Sequence, residues 1–311
     1  MVASAGPGEL IKSPEVDIVL NLTPPNVHSD ISIMALAAGK HVYSEKPLDI
    51  TFDGARHIIR AAHENGLAVG GAPDTFMGSS HTAARQMIHS GAIGQVMAGT
   101  AFMMTPGVEQ WHPSPDFFYK AGGGPLFDMG PYYITMLVSL LGPVVRISGS
   151  SAAARSQRII PSGPRQGQAI TVEVPTHVSA TLEFRDGIIV SLITSFDVAA
   201  HSLPYMEIYG TEGTLRLPDP NFFRGPITIR KPGKRRWNRI WQGLRAPATD
   251  CRGAGLADMA HSLRAGKVHL ANGELALHVV EVMEGILASG RDGRHIATTS
   301  ALDLDLAPAN P

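Results

Sequence analysis

Residues 16–28 read Val16-Asp17-Ile18-Val19-Leu20-Asn21-Leu22-Thr23-Pro24-Pro25-Asn26-Val27-His28. The first seven form a short, mostly apolar, β-branched run that suits a strand buried on both faces. Two prolines end it, because they remove donors and fix φ. Val27 to Ala38 then reads as a helix, with Val27, Ile31, Met34 and Leu36-Ala37 as its apolar stripe and Gly39 as the stop. His41-Val42-Tyr43 is a second strand, followed by the loop Ser44-Glu45-Lys46-Pro47. Asp53 to Asn65 is a second helix, with Ala55, Ile58, Ile59 and Ala62 on one face, and Leu67 to Gly70 is a third strand. Strands about 25 residues apart, each joined by one helix, make βαβ crossovers and a parallel sheet. Such sheets bind ligands beyond the carboxyl ends of their strands. The loops Thr23 to His28 and Ser44 to Pro47 lie there, either as binding loops or as rigid turns.

The whole chain has 311 residues, room for about two domains. Its 26 basic and 27 acidic residues leave a net charge of −1, which gives no whole-chain argument for a nucleic-acid or membrane partner. Cys251 is the single cysteine, so an internal disulfide and a cysteine-based zinc cage are excluded. No apolar run approaches the ~20 residues of a membrane span. The opening residues show no basic and no long apolar stretch of the signal-peptide kind, so a cytoplasmic location is expected. The thirteen histidines are scattered without a paired-ligand spacing, and no metal site is expected.

A dinucleotide fold opens on a strand, a G-x-G-x-x-G turn and a helix. Before Val16 there is only Gly6-Pro7-Gly8, with no strand ahead of it. That segment cannot be a pyrophosphate cradle.

Further along, Thr82 to Ser90 reads as a helix and Val96 to Met104 as a strand. An aromatic loop, Trp111-His112-Pro113-Ser114-Pro115-Asp116-Phe117-Phe118-Tyr119, precedes Gly122-Gly123-Gly124-Pro125-Leu126-Phe127-Asp128-Met129-Gly130-Pro131-Tyr132-Tyr133. An apolar helical segment, Ile134 to Leu141, closes at Gly142-Pro143. The glycine triplet lets backbone pass close to a ligand or to neighbouring chain. Asp128 and Tyr132 share a face if both are helical. Tyr133 points about 100° away from Tyr132 and reads as packing.

Glu45-Lys46-Pro47 after a strand, together with Gly-Gly-Gly-Pro-Leu-Phe-Asp-Met-Gly-Pro-Tyr and then Leu141-Gly142-Pro143, resembles the Gfo/Idh/MocA oxidoreductases. The Thr23 to His28 loop, Gly213 within Gly210 to Leu215, and Gly273-Glu274 also match, so the resemblance runs from about Glu15 to about Gly293. It implies an α/β chain: an N-terminally incomplete Rossmann-like parallel sheet over residues 1–75, then an α+β substrate and oligomerisation domain with an open, mainly antiparallel sheet over 76–311. It implies NAD or NADP as cofactor, with Thr23, Pro24, Asn26, His28, Glu45, Lys46 and Pro47 as candidate contacts. Catalysis is then expected from Lys46, Asp128 and Tyr132, on a sugar, polyol or related compound. A phenol near pKa 10 is a poor base, and a nearby ammonium lowers that pKa. Lys46 is therefore expected to tune Tyr132, the proton acceptor, while Asp128 orients substrate or lysine. Many family members end the motif in histidine, where this chain has Tyr132 as some branches do. Trp111, His112 and His177 are candidate substrate contacts. About two further βα units, roughly 60 residues, are expected ahead of Val16 on this pattern. A cofactor-deficient ligand-binding or regulatory relative, or an inactive fragment of such a dehydrogenase, is the alternative.

The remainder reads as strands, a basic loop and helices. His177 to Phe184 alternates, Arg185-Asp186-Gly187 turns, and Ile188 to Ser195 returns as a hairpin partner. Tyr205 to Tyr209 and Thr214 to Leu217 flank a second turn, and Glu274 to Ala288 is a helix apolar on two faces. Asn221 to Thr249 holds eight basic residues and no acidic one, with Trp237 and Trp241 among them. Basic plus aromatic can mean nucleic acid, but the stretch is expected to be an exposed loop or an oligomer edge.

Overall fold

The computed structural model describes residues 6–240, 250–300 and 302. The chain divides into two compact units. One holds the residues up to Asp74, Arg252–Glu281 and Ser300–Leu302; the other holds Thr75–Cys251 and Val282–Thr299. Sequence reading places one boundary at 75/76. The chain in fact re-enters the first unit after residue 251, a return that local patterning cannot show.

In the first unit a short helix α1 (Pro7–Lys12) precedes β1 (Ile18–Asn21), α2 (His28–Ala37), β2 (His41–Ser44), α3 (Phe52–Glu64) and β3 (Val69–Gly71). The strands form a parallel sheet in the order β1-β2-β3. Ala55, Ile58, Ile59 and Ala62 are the buried face of α3, and Thr51 caps it by accepting from the Gly54 N–H at 3.1 Å. The returning segment is anchored at the end of β3, where the Asp74 carboxylate accepts the Gly253 and Gly255 N–H groups.

The second unit contains α4 (Ser79–His89), β4 (Val96–Met104), α5 (Gly124–Leu141), β5 (Val144–Ala152), the small ribbon β6 (Gln157–Ile159) and β7 (Ala169–Thr171), then β8 (His177–Phe184), β9 (Ile189–Ser195), β10 (Met206–Gly210), β11 (Gly213–Leu217), β12 (Ile227–Arg230) and β13 (Asn238–Ile240). Helix α6 (Ala254–Arg264) belongs to the first unit, α7 (Gly273–Asp292) is shared between the two, and β14 (Ile296–Ala297) returns to the second. The nine-stranded sheet has the order β13-β12-β11-β10-β4-β9-β8-β5-β14. Only its β4–β9 pair is parallel.

Helix α5 starts ten residues before the apolar segment from which sequence reading begins it. Pro125 sits in its first turn, where a missing N–H costs nothing. The glycine triplet is needed for neighbouring chain: a Cβ on Gly123 would lie 2.6 Å from the Phe117 carbonyl oxygen, and Gly124 has φ +78°.

The basic stretch is not a single loop. It contains the β12–β13 hairpin: β12 alternates, with Ile227 and Ile229 buried, while β13 is the edge strand and is largely exposed. Arg216 and Arg230 lie over the Trp237 ring at 4.3 and 5.4 Å. Trp241 and Arg245 fall outside the described residues. Among the described residues no helix is long and apolar enough to cross a membrane, and no cluster of His, Cys, Asp and Glu could hold a metal ion.

Within the first unit, His278 on α7 is fully buried and bonds the Ser300 hydroxyl at 2.7 Å, and that hydroxyl donates to Glu281. Burial holds the His278 pKa down from 6.5 to about 4. Below pH 6.5 the unfolded chain takes up a proton that the folded chain refuses until about pH 4. Stability is therefore lost as pH falls through that window, by on the order of 2–3 kcal/mol from this group. Urea unfolding at pH 7 and pH 4.5 checks this: His278→Gln should be less stable at pH 7 and show a shallower acid loss than the parent chain.

Candidate active site

The carboxyl ends of β1 and β2 are held by one polar web. Asn21 is buried at the end of β1; its amide donates to the His28 carbonyl at 3.0 Å and its Oδ1 accepts the Thr23 hydroxyl at 2.6 Å. His28, also fully buried, places Nδ1 2.7 Å from the Pro47 carbonyl and Nε2 2.7 Å from the Thr23 carbonyl. Both ring nitrogens are thus occupied, and His28 is a strut between the two loops. Pro24 and Asn26 are exposed, while Lys46 is half-buried beside the Glu45 carboxylate, which accepts the Lys46 N–H at 2.8 Å.

A recess of about 230 Å³ opens beyond these strand ends, lined by Leu20, Leu22, Glu45, Ala72 and Arg252. Tyr43 also lines it, and its hydroxyl is buried without a hydrogen-bond partner among the described residues. Burial first, then the carboxylates of Asp74 and Glu45, push the Tyr43 phenol far above its ordinary range.

The second unit has its own cavity, of about 490 Å³. Met103, Met104, Val108, Phe196 and Phe222 give it apolar walls, and Trp111, 71 % exposed, stands at its rim. Its polar lining includes Asp128, Tyr133, Tyr205, Asp219 and Asn221. The helical geometry puts Asp128 and Tyr132 one turn apart on the same side of α5. Asp128 is half-buried against the cavity, and Tyr132 is buried at 7 % exposure. His112 packs edge-on against Trp111, Phe117 and Phe118 and does not line the cavity. His177 bonds the Ser195 hydroxyl on β9 at 2.9 Å, also away from the cavity lining.

Several polar residues of this cavity escape sequence reading, Tyr133 and Asp219 among them. Tyr133 reads as packing, and Asp219, some 90 positions from Asp128, belongs to no motif that the sequence displays. The Tyr133 hydroxyl donates to Asp219 Oδ1 at 3.4 Å. Burial, reinforced by Asp219, pushes the Tyr133 phenol far above its ordinary range, and burial also raises the Asp219 carboxyl.

The cavity wall is pinned from behind by a buried guanidinium. Arg158 on β6 donates to Glu109 at 2.9 Å, to Asp197 at 2.7 Å, and to the Pro106 and Phe196 carbonyls at 2.5 and 2.6 Å. Tyr119 donates to the other Glu109 oxygen, and Thr176 to Asp197. Val108 and Phe196, both lining residues, are chain neighbours of these carboxylates.

Two stability outcomes follow. Arg158→Met leaves two buried carboxylates without their cation and should cost about 3–5 kcal/mol. His28→Ala removes the bridge between the Thr23 and Pro47 carbonyls and leaves a cavity in its place, and should cost about 3 kcal/mol. Denaturant unfolding reads both, and a loss below about 1 kcal/mol in either would show that the loops hold without that side chain.

Residues 3–71 match the family model described as the oxidoreductase family, NAD-binding Rossmann fold, and residues 81–216 match the GFO/IDH/MocA C-terminal domain. Among curated proteins, the chain is 28 % identical over 212 residues to 1,5-anhydro-D-fructose reductase of Ensifer adhaerens, covering 67 % of this chain and 58 % of that protein. It is 32 % identical over 184 residues to dTDP-3,4-didehydro-2,6-dideoxy-alpha-D-glucose 3-reductase of Streptomyces violaceoruber, covering 58 % of this chain and 52 % of that one. The alignments thus span little more than half the length of these curated relatives. Among solved structures, an NAD binding oxidoreductase from Klebsiella pneumoniae superposes with TM-score 0.80 at 22 % identity, covering 96 % of this chain and 84 % of that one. Levoglucosan dehydrogenase in complex with NADH and L-sorbose superposes with TM-score 0.80 at 19 % identity, with 96 % and 83 % covered. At such identities the superpositions show the fold. The two family models, in order along one chain whose strand-end loops and α5 carry the corresponding motifs, place this protein in the Gfo/Idh/MocA oxidoreductase family.

Proposed function

We propose that the chain serves an NAD(P)-dependent oxidoreductase that moves a hydride between the cofactor and the CH–OH or C=O carbon of a sugar-like compound. The observation that carries this reading is Asp128, presented by α5 to a cavity whose rim is the exposed face of Trp111 and whose walls are thioether and aromatic. Aromatic faces suit the apolar faces of sugar rings, and a carboxylate suits their hydroxyls. The names of the relatives, a reductase of anhydrofructose and a dehydrogenase of levoglucosan, point to the same substrate class.

The recess beyond β1, β2 and β3 fits one end of a dinucleotide. Its position is the one parallel sheets use for ligands, its lining is largely apolar, and Tyr43 offers an orphaned hydroxyl. A recess of this size takes a ring or a ribose, and a G-x-G-x-x-G cradle for the pyrophosphate is not among the residues of this chain. When bound, the nicotinamide ring supplies the hydride acceptor or donor. Thr23, Pro24, Asn26, Glu45, Lys46 and Pro47 are the proposed holding residues, with His28 setting the loops that carry them.

Tyr132 is the proposed proton acceptor in alcohol oxidation and donor in carbonyl reduction, and Lys46 is a proposed catalytic residue of the first unit. Asp128 orients the reacting hydroxyl. Tyr133 is unsuited to the proton-transfer role, because burial and the Asp219 carboxyl both disfavour its phenolate. It stays neutral and donates a hydrogen bond.

Fluorescence titration with NADH and NADPH tests the reading, with saturable binding of at least one expected; binding of neither would overturn it. On any substrate turned over, Tyr132→Phe should lower kcat by about 10²–10⁴ with a smaller change in KM. Near-parental kcat in that variant would remove Tyr132 from proton transfer.

A further inference from the structure

We infer that Asp219 and Tyr133 form a charge-selective pole of the second unit's cavity, which admits uncharged or cationic polyols, amino sugars included, and rejects phosphorylated or carboxylated ones. The inference rests on the proposed sugar-oxidoreductase reading and narrows its substrate class.

The charge balance of the lining comes first. Its acidic groups are Asp128 and Asp219; the exposed His201 also lines it, and among the described residues no lysine or arginine does. Sites for phosphate or carboxylate groups present guanidinium or ammonium donors, or the N–H groups of a helix start. This cavity meets α5 at Asp128, Met129 and Tyr133, beyond the helix's first turn. An anionic substituent entering it faces two carboxyl groups across apolar walls, where charges are poorly screened.

The hydrogen-bond geometry says what the pole does accept. Asp219 receives the Asn221 N–H at 3.0 Å and the Tyr133 hydroxyl at 3.4 Å, both on Oδ1. Among the described residues Oδ2 has no hydrogen-bond partner. It is a half-buried acceptor at the edge of the cavity, held in place by the two donors on its companion oxygen. A sugar hydroxyl or the ammonium of an amino sugar has a proton to give it; an ionised carboxylate has none. Tyr133, fully buried, holds the carboxyl in place without supplying charge. The Tyr133–Asp219 pair thus gives the cavity an acceptor position for a polyhydroxylated ring, separate from Asp128 on α5.

The test uses the full chain without cofactor and measures binding by ligand-observed NMR with three probes of one ring shape: D-glucose, D-glucosamine and D-glucose 6-phosphate. The expected order is glucosamine at least as tight as glucose, and glucose 6-phosphate at least about ten-fold weaker than glucose. Asp219→Asn should shrink the phosphate penalty several-fold and abolish any advantage of glucosamine, whereas Tyr133→Phe, which keeps the charge, should preserve the order. Glucose 6-phosphate binding as tightly as glucose, or an Asp219→Asn order identical to the parent's, would overturn the inference while leaving the sugar site standing. Binding of none of the three would overturn the sugar-site reading beneath it. If Asp219→Asn fails to fold, salt dependence in the parent chain decides. Added salt should weaken glucosamine binding and leave glucose unaffected, and equal responses would count against the pole.

Discussion

A guanidinium taken out of water is costly unless every donor finds an acceptor, and that constraint organises the second unit. Arg158 sits at 4 % side-chain exposure and meets it with two carboxylates and two carbonyls. Its partners come from three separate stretches: the segment from Pro106 to Glu109 before the aromatic loop, the Phe196–Asp197 end of β9, and, through Thr176 on Asp197, the approach to β8. Each stretch borders the cavity or the loop that rims it. A second pair, Arg165 with Asp116, ties the turn between β6 and β7 to the same aromatic loop. The small β6–β7 ribbon, with no apolar patterning of note, thus acts as a brace for the wall that carries Trp111.

The opposite wall is set by close approach. Helix α5 is buried along nearly its whole length, so its side chains are placed by packing against β8 and β9. Its start is placed by glycine: Gly123 and Gly124 let the chain run against the Phe117–Phe118 carbonyls and the Pro175 carbonyl, where a Cβ has no room. A brace on one side and a rigid helix on the other hold Asp128 and Tyr133 at fixed places on the cavity wall.

The first unit solves a similar problem by a different route. Its loops lie at the ends of parallel strands, where backbone groups leave the ladder and need new partners. Asn21 and His28 supply them, and His28 is a side chain that the family resemblance marks as a cofactor contact. Polar residues in a strand-end loop serve equally well as ligand contacts or as internal struts, and only the distances from the His28 ring to the Thr23 and Pro47 carbonyls separate the two uses.

Local periodicity was sufficient for the βαβ order of the first seventy residues, the hairpins at 177–195 and 206–217, and the buried face of α3. Each depends on neighbours a few positions apart, and alternation or a 3.6-residue stripe records them directly. The motif around Asp128 was equally legible, because its glycines and its i, i+4 pair are local. Tertiary structure decided the rest. The return of residues 252–281 to the first unit and the exposed edge strand β13 carry no local signal. Arg158 gathers Glu109, 49 positions away, and Tyr133 meets Asp219, 86 positions away. A buried charge or a cavity carboxyl is defined by what surrounds it in space, and chain separation holds no record of that until the sheet has brought the pieces together.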